Sequence, residues 1–161
     1  MTAIRGRAEV ARLKQRLDAT FERAEGVDPG DLQLRADLAK YLCVLIAGFF
    51  EKAVQELATD WCRRQSAPTV SRYTSKQLQR LQNIGAQKLK ELFDAFGADW
   101  RNELETEFDD ELVALGSVYS NRNELAHGGN VDLTMTRVRD YYASIRKLVD
   151  HLELRFAPQT E

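Results

Sequence analysis

A chain of 161 residues, 43% hydrophobic and 30% charged, is long enough for one domain with a real core and too apolar to stay disordered. Three prolines and nine glycines leave little room for a β-rich design with many tight turns, and the formal net charge of −2 is close to neutral. The longest apolar run, Tyr41 to Phe50, is too short to span a bilayer, and no basic-then-apolar leader opens the sequence, so a cytoplasmic protein is expected, with no membrane partner.

In chain order, Val10, Leu13, Leu17, Phe21 and Ala24 recur at helical spacing and predict a peripheral amphipathic helix from about Thr2 to Ala24. Gly26, Pro29 and Gly30 break it, and Asp31 is a candidate N-cap for the next helix. Leu34, Leu38, Tyr41, Leu42, Leu45, Phe49, Ala53 and Leu57 carry that second helix to Trp61 or beyond. From Tyr41 to Phe50 it is apolar all round, which predicts that other helices surround it, and Ala47-Gly48 predicts close approach by a neighbour. Cys43 and Cys62, 19 residues apart on one helix, would lie roughly 28 Å from each other and cannot pair.

Ser66 to Thr74 reads as a connector, with a third helix from about Thr74 that Asn83-Ile84-Gly85 interrupts and Gly97 ends. Trp100 and Leu104 mark a short acidic helix. Phe108, Leu112, Leu115 and Tyr119 then predict a helix from Phe108 to His127, followed by Gly128-Gly129-Asn130 as a loop. Thr134 is a candidate cap for the last helix, striped by Val138, Tyr141, Ile145, Leu148, Leu152 and Phe156, with His151 read as a surface or boundary residue. Without any strand-like alternation, the fold class is all-α: a bundle of four to five main helices in a single domain over 1–161, with residues 1–30 peripheral and 157–161 a flexible tail.

Charge is unevenly spread. Between Trp61 and Lys90 stand Arg63, Arg64, Arg72, Lys76, Arg80, Lys88 and Lys90 with no acid, whereas Glu91 to Glu111 is acidic with Arg101 alone as a base. Two readings are open. The basic stretch tracks a phosphate backbone, with Arg63, Arg64, Arg72, Lys76 and Arg80 as candidate RNA-binding residues, or the two segments neutralise one another in the fold.

The most informative stretch is Arg122-Asn123-Glu124-Leu125-Ala126-His127, then Gly128. Arg122 falls on the apolar stripe of its helix, where a permanently charged guanidinium needs a partner or a cleft. Glu51, directly after the apolar run of the second helix, is either a solvated acid or a carboxylate that positions Arg122. No glycine-rich phosphate loop and no cysteine–histidine cluster of metal-ligand spacing occurs, so no cofactor or metal is expected. Arginine plus histidine suits metal-free RNA cleavage. An imidazole moves the proton of the attacking 2′-hydroxyl, and a guanidinium stabilises charge growing on phosphate oxygens. Basic residues also favour the last turn of any helix, so the pair by itself has a purely structural reading as well.

The same stretch resembles the R-N-x-x-A-H signature of HEPN domains (higher eukaryotes and prokaryotes nucleotide-binding). Phe49-Phe50-Glu51-Lys52, Leu81-Gln82-Asn83 leading to Leu92-Phe93 and Gly97, and Trp100 resemble the RiboL-PSP-type branch. The resemblance covers roughly Leu34 to Leu152. It implies an all-α homodimer with motif helices facing across the twofold axis, and a metal-independent endoribonuclease of toxin–antitoxin or other defence systems. It implies catalytic roles for Arg122 and His127, an accessory role for Asn123 and, more loosely, Glu51. RNA is then the substrate and an antitoxin protein a possible partner. The alternative is a non-catalytic helical module that binds RNA, a nucleotide or a protein.

Overall fold

A computed structural model describes residues 5–158. Among these are seven helices and no strand: α1 (Arg5–Glu25), α2 (Leu32–Gln65), α3 (Pro68–Gln79), α4 (Ala86–Phe96), α5 (Ala98–Glu107), α6 (Asp109–Ala126) and α7 (Met135–Arg155). The all-α expectation holds. The count exceeds four to five because the interruption at 80–85 separates α3 from α4 outright. Asn83 there adopts a left-handed φ of 54°, which no helix can absorb.

The long α2 is the central post. α1, α3, α6 and α7 all pack against it, while α4 and α5 pack on each other and on α6. Its start is capped as expected: the Asp31 carboxylate accepts from Leu34 N at 3.0 Å. Leu42, Ile46, Phe50, Ala53, Val54 and Leu57 make its buried side. α1 buries Val10, Leu17, Phe21 and Ala24, and the Phe21 ring stacks on Tyr142 of α7 at 4.8 Å. At the other end, Trp61, Phe93, Phe96, Trp100 and Phe156 contact edge-to-face or stacked, joining α2, α4, α5 and the end of α7. Both cysteines lie buried and unpaired in α2, and burial pushes the Cys43 thiol up to about 11.

Four expectations are corrected. The third helix begins at Pro68, not Thr74, because proline at the first helical position needs no hydrogen-bond acceptor for its nitrogen and its φ is already helical. The apolar run of α2 is not enclosed on all sides: Tyr41 and Val44 are exposed, and a Cβ built on Gly48 would meet nothing within 4 Å. His151 is buried, at 6% exposure, with its ring tilted on Phe108 at 4.4 Å. Burial lowers its pKa, opposed by the charge of Glu103. Tyr142 turns inward more fully than Tyr141. The expected start of the first helix at residues 2–4 and the tail residues 159–161 lie outside the described residues. No described helix is long and apolar enough to cross a membrane.

Candidate active site

The site is built where α6 ends against the middle of α2. Leu112, Leu115, Val118 and Tyr119 bury the apolar stripe of α6. Two contacts clip it to α2: the Tyr119 hydroxyl donates to Ala47 O at 2.8 Å, and Cys43 Sγ lies 3.8 Å from Val118 O. Burial, aided by the charge of Glu51, pushes the Tyr119 phenol far up, so it stays a protonated donor. Arg122 follows Tyr119 by three residues and is half-buried, as its place on the stripe requires.

No carboxylate of the described residues lies within ion-pair reach of Arg122. Its Nη1 donates instead to two amide oxygens, Asn83 Oδ1 at 2.8 Å and Asn123 Oδ1 at 3.1 Å. Glu51 does not touch the guanidinium. Its Oε2 accepts from the backbone N of Asn83 at 2.7 Å, so its influence on Arg122 runs through that residue. The whole 81–83 loop is tethered. Gln55, one turn after Glu51 on α2, donates to Leu81 O at 2.7 Å, and Lys88 Nζ donates to Gln82 O at 2.6 Å. Three residues on two helices therefore fix one short loop, and that loop holds the arginine.

His127 is the exposed C-cap of α6. The helix ends there because Gly128 takes φ +79°, a conformation costly for residues with a Cβ. Gly129 N donates to Glu124 O at 2.9 Å and Gly128 N to Leu125 O at 3.2 Å, the paired reverse bonds of a Schellman ending. No hydrogen bond to the His127 ring is formed by the described residues. At 3.6 residues per turn, positions five apart on a regular helix point about 140° away from each other.

The candidate RNA-binding cations divide into two groups. Arg63 and Arg64 both pair with buried Asp60, and Arg64 also donates to Phe156 O at 2.6 Å. Arg72, Lys76 and Arg80 lie exposed on α3 with no ion pair among the described residues. The acidic stretch does not neutralise the basic one. Its ion pairs are Glu105 with Arg101, Glu103 and Asp99 with Arg155, and Glu111 with Lys147. Among the described residues no three His, Cys, Asp or Glu cluster as metal ligands would.

Sequence reasoning gave Asn83 no role and missed Gln55 and Lys88. A signal for Asn83 existed: asparagine before Ile-Gly at a helix break tolerates the left-handed region. Its link to a residue 39 positions away carried none.

A family model described as RiboL-PSP-HEPN matches residues 8–157. The match begins within α1, so the likeness reaches further than Leu34 to Leu152 and takes in most of the first helix. Neither curated proteins nor solved structures contribute a match.

Proposed function

The chain belongs to the RiboL-PSP type of HEPN domains, and from that premise we propose that it is a metal-independent endoribonuclease with Arg122 and His127 as its catalytic residues. The observation that carries this reading is the state of Arg122. It is half-buried, held through one nitrogen by two neutral amides, and has no carboxylate among the described residues to neutralise it. An arginine partly withdrawn from water needs hydrogen-bond partners, and here they are neutral amides rather than an acid. One held by amide oxygens keeps its charge and its other donors for an anion.

In the proposed reaction the 2′-oxygen of RNA forms a bond to the adjacent phosphorus and the bond from phosphorus to the 5′-oxygen breaks. His127 takes the 2′-hydroxyl proton, and the leaving 5′-oxygen takes one from water. Arg122 stabilises the charge on the non-bridging oxygens. Asn123 and Glu51 are accessory, the first by direct contact and the second by way of Asn83. The products are a 2′,3′-cyclic phosphate and a 5′-hydroxyl.

We take the working unit to be a homodimer. The divergence of Arg122 and His127 within one chain favours pairing across a twofold axis, where each contact occurs twice. The exposed apolar stripe of α2, Tyr41, Val44 and Gly48, leads along the helix to Glu51 and so to the site itself. In the cell such an enzyme is a cytoplasmic toxin or defence effector, restrained by an antitoxin protein.

The test is cleavage of a single-stranded RNA in EDTA. Wild type should cut it and leave cyclic-phosphate ends, and a 2′-deoxy substitution at the cut position should block the cut. Arg122→Ala and His127→Ala should each lower the rate by a factor of about 10² or more with helix content unchanged. RNA binding without cleavage would leave the non-catalytic binding module as the correct reading.

A further inference from the structure

α3 exposes an unusual surface. Ser71 and Leu78 face inward, and the outer side carries Arg72, Tyr73, Lys76 and Arg80. At 3.6 residues per turn these four span an arc of only about 100°, with Tyr73, Lys76 and Arg80 in line along the helix. Tyr73 is 66% exposed and Val70 beside it 54%. No acid occurs in α3 and none pairs with these cations among the described residues. A solvated helix face of mixed charge would need no explanation. An exposed aromatic ring among three unpaired cations is the composition of a nucleic-acid platform.

The position of this face says which way it leads. Arg80 caps α3, and Asn83, three residues on, holds Arg122. Three residues of chain reach no more than about 11 Å. The platform and the candidate catalytic arginine are therefore joined through the tethered 81–83 loop.

We propose that the outer face of α3 is a track for single-stranded RNA that ends at Arg122, with a base stacked on Tyr73 and phosphates on Arg72, Lys76 and Arg80. Arg63 and Arg64, drawn to Asp60, lie outside it. The track rests on the ribonuclease reading and adds to it the residues that grip the strand before the cut. It recognises flexible, unpaired RNA, because a stacked duplex offers no free base face to Tyr73.

The experiment is fluorescence anisotropy of the intact protein with a labelled 2′-O-methyl oligouridine, which binds but cannot be cut, and with an abasic strand of the same length. Tyr73→Ala should weaken binding to the oligouridine about tenfold. It should leave abasic binding unchanged, and Tyr73→Phe should restore affinity. Lys76→Gln and Arg80→Gln should each lower the salt slope by about 0.7, on both strands, while Arg63→Gln leaves it unchanged. Equal effects of Tyr73→Ala on the two strands, or an unmoved slope, would overturn the track. So would α3 variants that lose binding to phosphatidylserine vesicles but not to RNA. Arg122-dependent cleavage with α3 variants that bind like wild type sinks the track alone. Binding as described without cleavage sinks the catalytic reading and leaves the track. Wild type that neither binds nor cuts RNA overturns both.

Discussion

Asn83 does two jobs that few residues combine. Its backbone accepts the left-handed conformation that lets the chain turn between α3 and α4, and its amide oxygen holds Arg122. The two are separable. Asn83→Gly keeps the conformation and removes the acceptor, so the fold should survive while single-turnover cleavage falls about tenfold or more, the value of one hydrogen bond to a charged group. Glu51→Gln should weaken the same hold by a smaller factor, because its amide can still accept from Asn83 N. A rate unchanged in Asn83→Gly would mean the clamp does not position the arginine. His151 is a different case. Phe108 and Phe93 flank its ring, Glu103, Glu107 and Arg155 are the charges around it, and its Nε2 has no partner among the described residues. Its folded pKa is depressed below the unfolded value of about 6.5. Below that pH the unfolded chain takes up a proton that the folded chain resists, so stability falls as pH drops. Thermal melts from pH 7 to pH 5 should show this loss, and His151→Phe should flatten it.

At the scale of elements, α6 depends on how it ends. Gly128→Ala puts a Cβ on a left-handed residue and should cost about 1–2 kcal/mol by thermal melting. It should also fray the turn that presents His127, so cleavage should fall with the fraction of intact helix ends. Much of this was legible in the sequence. Apolar periodicity located α2, α6 and α7, and Asp31 and Thr134 cap α2 and α7 through their side chains, as their residue types suggested. Periodicity failed at α3, where only Leu78 is buried apolar surface and the start signal was Pro68. It failed also along Tyr41 to Phe50, where an apolar sequence does not say which face is left open. Within the site, Arg122 and His127 were legible as residue types. The route from Glu51 through Asn83 to Arg122 was not, because it joins the middle of α2, a loop and the last turns of α6, which only the packing brings together.

For the whole molecule, the exposed face of α2 is the feature that bears on assembly. An open hollow of about 590 Å³, lined by Leu13, Leu17, Tyr41, Val44, Gly48 and Phe49 among others, lies between α1 and α2. In an isolated chain Gly48→Ala should stabilise α2 by about 1 kcal/mol, since the added methyl meets nothing and alanine is the better helix former. Gly48→Arg puts a long charged side chain on the stripe. If a second copy seats there, that variant should sediment as a monomer and lose cleavage while keeping its helix content.

The proposed reaction requires that Arg122 of one chain and His127 of its partner act on one phosphate. Mixing inactive Arg122→Ala with inactive His127→Ala, under conditions that exchange subunits, tests this cross-chain pairing. Each heterodimer carries one cross-chain pair with both groups intact. Half the dimers form that way and each has one working site of two, so about a quarter of wild-type RNA cleavage should return. Cleavage by either variant alone contradicts its catalytic role, and a silent mixture in which exchange has been demonstrated contradicts the shared site.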